Sequence, residues 1–153
     1  MKEVILGLDI STSKVGLCIM DYKFNLLETK LIKLNTKDPL EERCFDLEKE
    51  LKIYSKYWIK DVFIESAFIA FSGGKTSAIT MSKLQRFNGM VCYMIRMLYG
   101  KSAALMSPAK ARGLVGLKIK RGENTKQKVI EYVERAFPND FKYLVLNAID
   151  EEE

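Results

Sequence analysis

The chain has 153 residues, 48% of them hydrophobic and 29% charged, with 25 Lys and Arg against 20 Asp and Glu and a formal charge of +5. This is the composition of an ordinary globular domain rather than a disordered chain, and one domain over 1–153 with its own core is expected. No histidine occurs, which excludes Ser-His-Asp and Cys-His mechanisms and leaves carboxylates, lysines or a metal-activated water for any hydrolysis.

The opening residues, MKEVILGLDIS, reach a carboxylate too soon for a signal peptide, and no apolar run has membrane-spanning length. An intracellular protein without membrane contact is expected. Val4 to Leu8 reads as a buried strand that ends in Asp9, followed by Ser-Thr-Ser and a glycine. Burying a carboxylate there is costly unless a cation or hydrogen bonds compensate it. Asp9 can be a turn cap, the metal ligand of a nuclease, or the phosphate clamp of an ATPase.

Val15 to Tyr22 reads as a second strand and Leu26 to Leu34 as a third, giving an antiparallel meander. Asp38 then serves as a helix cap with Pro39 in the first helical position. Leu40, Cys44, Leu47, Leu51 and Tyr54 follow at helical spacing and make one apolar face. DVFIES is a short strand that again ends in an acid, Glu65.

SGGKTS leads into a long helix around 77–99, whose apolar stripe runs through Met81, Leu84, Phe87, Val91, Met94 and Leu98. Met90, Ile95 and Met97 widen that stripe, so the helix either has a second buried face, makes a dimer contact, or is plain core. Ser102 to Met106 is a fifth strand, and Pro108 starts a small helix. Lys110, Arg112, Lys118, Lys120, Arg121, Lys126 and Lys128 face one acid, Glu123, in a segment interrupted by Gly113, Gly116 and Gly122. The segment is either a solvated surface or a phosphate-binding one. A last helix begins at Asn124 or Thr125 with Val129, Ile130, Val133 and Phe137 inward, and Tyr143 to Ile149 ends in the acids Asp150 to Glu153. Cys18, Cys44 and Cys92 lack CxxC spacing, so neither zinc nor a disulfide framework is implied.

The element order βββαβαβα fits an α/β layered domain with a mixed sheet. Two strands end in carboxylates, Asp9 and Glu65, and a third apolar segment delivers Asp150 and Glu153 three residues apart. Gathered carboxylates repel unless divalent cations lie between them, and hard oxygen donors suit Mg²⁺, with Mn²⁺ as a substitute. Two ions about 4 Å apart would clamp the attacking and leaving oxygens of a phosphodiester.

In this order of elements the chain resembles the RuvC-type Holliday-junction resolvases of the RNase H-like superfamily. The resemblance rests on LGLDISTSKVG, IESAFIAFSGGKTSAI, KLQRFNG, and SPAKARGLVG followed by NTKQKV. It implies an RNase H-like five-stranded mixed sheet, its first three strands antiparallel, flanked by helices, in a divergent, phage-type member. It further implies a homodimer packed through the long helix, two Mg²⁺ ions per active site, and cleavage of branched DNA. By position, Asp9 and Glu65 match the first two metal ligands, and Asp150 and Glu153 have the spacing of the last two. Family members carry that last pair as D-x-x-D-A on a helix that continues past it, and four acids, Asp150 to Glu153, share the place here. Arg112 and Lys126 fall where the family places cations near the scissile phosphate. Phe68 and Phe71 lie in the loop where the family has an aromatic beside the junction crossover, and packing beneath the loop is the other reading. Lys75, Lys118, Lys120, Arg121 and Lys128 join them as DNA-binding candidates.

Three rivals share features with this reading. An actin-like ATPase opens on a similar Asp-containing motif but needs two such halves. A P-loop requires glycine where Ile69 stands before Gly74 and Lys75, which rules it out. A non-catalytic DNA-binding relative of the same fold, or a ribonuclease H acting on hybrid duplexes, would keep the sheet and the basic segment.

Overall fold

The structure is a computed structural model and describes residues 1–66 and 78–140. The chain divides into two compact units, Met1–Ser107 and Pro108–Glu153.

The first unit is built on a five-stranded sheet in the order β3-β2-β1-β4-β5. Its strands are β1 (Glu3–Ile10), β2 (Lys14–Asp21), β3 (Leu26–Lys33), β4 (Trp58–Glu65) and β5 (Ala104–Met106). The first three form the expected antiparallel meander, while β4 pairs with β1 and β5 with β4 in parallel. Alternation decides which face is buried: Val4, Leu6, Leu8 and Ile10 of β1 and Val15, Leu17 and Ile19 of β2 all point into one core. That core is closed by α1 (Leu40–Lys52) and α2 (Ala78–Tyr99), which contribute Leu40, Leu47 and Leu51, and Phe87, Val91, Met94 and Ile95.

Helix α1 begins one residue later than the Asp38-Pro39 signal implies. Pro39 is itself the cap, with extended backbone and no side-chain cap bond, and Asp38 gives its carbonyl to Arg43 Nε at 2.8 Å. A single turn of tighter helix, Ile53–Lys56, then buries Tyr54 and delivers the chain to β4.

Strand β4 starts three residues earlier than the DVFIES reading, and the cause is a bulge. Val4 pairs with Ile59, but Ile5 pairs with Asp61, so Lys60 is an extra residue opposite β1. Lys60 and Asp61 are consecutively exposed between buried Ile59 and Val62, which breaks the alternation that marks a strand in sequence. Side chains from three strands hold the bulge. Tyr22 donates its hydroxyl to Asp61, and Lys60 pairs with Glu3 at 3.2 Å. The Lys60 ammonium also lies 5.7 Å from the Tyr22 ring centre and 5.8 Å from that of Trp58.

In the second unit, α3 (Pro108–Leu114) and α4 (Thr125–Ala136) flank the basic segment. Asn124 caps α4 as expected, its side chain accepting from the Gln127 N–H at 3.1 Å. Val129, Val133 and Phe137 are half-buried, whereas Ile130 is exposed. Gly116 and Gly122 take positive φ, at 72° and 89°, which explains glycine at those two turns.

Candidate functional site

The site is built where β1 and β4 end. Their last register pair is Leu8 with Ile64, and one residue beyond stand Asp9 and Glu65, side by side on neighbouring parallel strands. Leu8 and Ile64 point into the core, so the period-two rule places both acids on the opposite face, where both are exposed. Among the described residues the Asp9 carboxylate has no hydrogen-bond or ion-pair partner.

The turn after Asp9 explains why that carboxylate is uncommitted. Ser11 Oγ accepts the N–H groups of Lys14 at 3.0 Å and Ser13 at 3.4 Å, and donates to the Lys14 carbonyl at 2.9 Å. Ser11 therefore caps the turn, and the turn-cap reading of Asp9 fails. Across the strand pair Asp9 faces Gly16, where an added Cβ would stand 3.7 Å from that of Asp9. Two positions back, Gly7 faces Cys18 on the same side. The sheet is thus bare beside the acid.

Two buried polar side chains reach this edge from the helix layer, and neither stands out in the sequence. Arg43 lies within the apolar stripe of α1, yet its Nη1 donates to the Thr12 carbonyl and its Nη2 to that of Thr36, each at 2.6 Å. Asn88 of α2 donates from Nδ2 to the Glu65 carbonyl at 3.2 Å. Arg43 thereby ties down the turn behind Asp9, and Asn88 the backbone of Glu65. The signal that could have found Arg43 is a cation at a helical position between Leu40 and Leu47; for Asn88 it is an amide between Phe87 and Val91.

Exposed carboxylates placed this way are hard oxygen donors suited to a divalent cation. Among the described residues no group of three or more His, Cys, Asp or Glu comes together, so this edge supplies two ligands. Asp150, Glu153, Phe68, Phe71 and Lys75 lie outside the described residues.

The basic segment belongs to the second unit. Lys128 is held between Glu123 at 3.9 Å and Glu131 at 3.2 Å, and Glu123 also accepts the Lys120 N–H at 2.7 Å. Arg112 on α3, Lys118 and Arg121 in the connection, and Lys126 in the first turn of α4 form no ion pair among the described residues.

Compared with solved structures, the chain superposes on Thermus thermophilus RuvC with a TM-score of 0.66 at 17% identity, covering 88% of this chain and 80% of that one. Thermus thermophilus RuvC in complex with a Holliday junction substrate gives 0.68 at 18% identity, covering 88% and 79%. The fold is that of RuvC. A curated relative, the crossover junction endodeoxyribonuclease RuvC of Sulfurovum sp. (strain NBC37-1), is 33% identical over 95 residues. That match spans 60% of this chain and 56% of the relative, a little over half its length. No family model matches the chain. Within the RuvC fold the mixed sheet with helices against it is as expected, and the low identity agrees with a divergent sequence. No helix among the described residues is long and apolar enough to cross a membrane.

Proposed function

We propose that this chain is a divalent-metal-dependent endodeoxyribonuclease that resolves Holliday junctions and other branched DNA. The observation that carries the reading is the pairing of Asp9 and Glu65 at the carboxyl ends of adjacent parallel strands, free of the turn beside them, in a RuvC fold. Asp9 and Glu65 would hold Mg²⁺ or Mn²⁺, two ions per site, with Asp150 and Glu153 completing the ligand set. The bound ions would supply Lewis acidity and an activated water for in-line displacement at phosphorus. The chain's own part is to place the acids, to leave Gly7 and Gly16 as a flat floor, and to bring cations to the phosphates. Arg112 and Lys126 would offset the charge that develops on the scissile phosphate. Lys75, Lys118, Lys120, Arg121 and Lys128 would bind backbone, and Phe68 and Phe71 would lie beside the junction crossover. Both compact units serve this one nuclease module, encoded by a phage and acting inside the host cell.

A homodimer through α2 goes with this reading. The outer face of that helix leaves Tyr93 and Met97 each 68% exposed, next to half-exposed Phe45 of α1. An open groove runs there between Glu41 and Glu48 on α1 and Arg86 on α2. Apolar surface of this size, bordered by charges of both signs, fits a self-complementary two-fold contact.

The deciding experiment compares cleavage of a four-way junction with cleavage of linear duplex in Mg²⁺, for wild type and Asp9→Asn. Junction-selective, metal-dependent cutting that Asp9→Asn abolishes is expected. No metal-dependent cutting by wild type, or undiminished cutting by the variant, overturns the reading, and a metal-free DNA-binding protein takes its place. Equal cutting of an RNA strand in a hybrid duplex would move the substrate to that of a ribonuclease H.

A further inference from the structure

Asn88 stands in the most apolar surroundings of the first unit, between Phe87 and Val91, and is 6% exposed. A buried amide is costly unless its donors and acceptor are met. Here both ends are engaged. Nδ2 donates to the Glu65 carbonyl at 3.2 Å, and Oδ1 accepts from Cys92 Sγ one turn further along α2 at 3.8 Å. A thiol donates only weakly, but it turns the oxygen of the amide toward Cys92 and the nitrogen toward Glu65. The other side of the same peptide unit is also held, because the Ser66 N–H donates to the Met106 carbonyl at 2.9 Å. The Glu65–Ser66 peptide is thus gripped at its oxygen by α2 and at its nitrogen by β5.

We propose that Asn88 is a positioning residue for the Glu65 carboxylate. Glu65 is the last residue of β4, and beyond it the sheet no longer fixes the backbone. By holding the carbonyl, Asn88 sets the direction of the Glu65 Cα–Cβ bond, and with it the reach of the carboxylate toward the ion shared with Asp9. The inference rests on the metal-site reading above. Groups that orient a metal ligand typically change metal affinity by about 10- to 100-fold when removed.

The test is titration of Mn²⁺ into the full-length, metal-free protein, followed by calorimetry without DNA. Asn88→Leu keeps the volume and removes the amide, and its Mn²⁺ affinity is expected to fall by about tenfold or more. Val91→Ala, one turn along the same buried face, loosens the core without touching Glu65 and is expected to bind as wild type does. Should Asn88→Leu not fold, Asn88→Ala carries the same expectation. Wild-type affinity in the Asn88 variant, or an equal loss in Val91→Ala, overturns the proposal while leaving the metal site standing. A wild-type protein that binds no Mn²⁺ overturns the metal reading and this inference with it.

Discussion

Arg43 in the middle of α1 reaches the carbonyl of Thr12, in the turn that follows Asp9, across 31 residues of sequence and at 2.6 Å. The same guanidinium spans the carbonyls of Thr36 and Asp38, so one planar group joins the β1–β2 turn to the start of α1. Arg43 is 7% exposed, and its removal leaves three carbonyls without their donor. Arg43→Met is expected to cost about 2–4 kcal/mol in denaturant unfolding, because charge-assisted bonds in a buried setting are lost together. Arg43→Lys recovers little, since an ammonium cannot span three acceptors in a plane.

Asp9 and Glu65 are two like charges side by side. Asp9→Asn and Glu65→Gln are each expected to lower metal-dependent junction cleavage by at least about a hundredfold. In metal-free buffer the same variants should unfold at the same temperature as wild type or higher, because each relieves repulsion at the strand ends. Cleavage kinetics paired with thermal unfolding in chelator check both halves. A variant that loses activity and stability together would point to a structural acid.

The ion pairs of the second unit sort the cations for DNA binding. Lys118→Ala and Lys126→Ala should each reduce the slope of log affinity against log salt by about 0.9, the release expected for one phosphate contact. Lys128 is already shared between Glu123 and Glu131, so Lys128→Ala should change the slope much less. Binding titrations of a four-way junction in Ca²⁺ at several salt concentrations measure this.

Acid unfolding should report Asp21. Its carboxylate accepts the side-chain amide of Asn25, the N–H groups of Asn25 and Lys23, and the ammonium of Lys2 at 3.0 Å. Led by the Asn25 amide, these donors hold the carboxyl well below the usual carboxylate range. A lowered folded pKa means stability that is present above the unfolded value of about 3.9 and lost as pH falls through the folded one. Asp21→Asn should therefore be less stable at pH 7 and lose less on acidification below about pH 4. Thermal unfolding of both proteins between pH 2 and 7 gives the comparison.

Local chemistry was legible in the sequence wherever neighbours decide the structure. Alternation in Val4 to Leu8 and Val15 to Tyr22, the Asn124 cap and the helical stripe from Phe87 to Ile95 all depend on residues within a turn or two. The acids at two strand ends were legible for the same reason, since a carboxylate closing an apolar run is visible without knowing its partner. What stayed hidden depends on distant partners. Lys60 and Asp61 read as a break before a strand because the residue that pairs with neither lies on β1. Arg43 and Asn88 read as interruptions of apolar stripes because their acceptors, Thr12 and Glu65, are far along the chain.

The extra residue in β4 has a consequence for how this chain tolerates change. A sheet counts in twos, and β1 and β4 would be out of step without Lys60: Asp9 would lie level with Ile64, and Glu65 would turn inward beside Ile10. One surplus residue restores parity, so the acids arrive together on the outer side. Single-residue gain or loss between Ile59 and Val62 therefore acts on the acid pair as a frameshift acts on a gene, reversing every side chain downstream. The Tyr22–Asp61 and Lys60–Glu3 contacts, at the far end of the strands, keep that count.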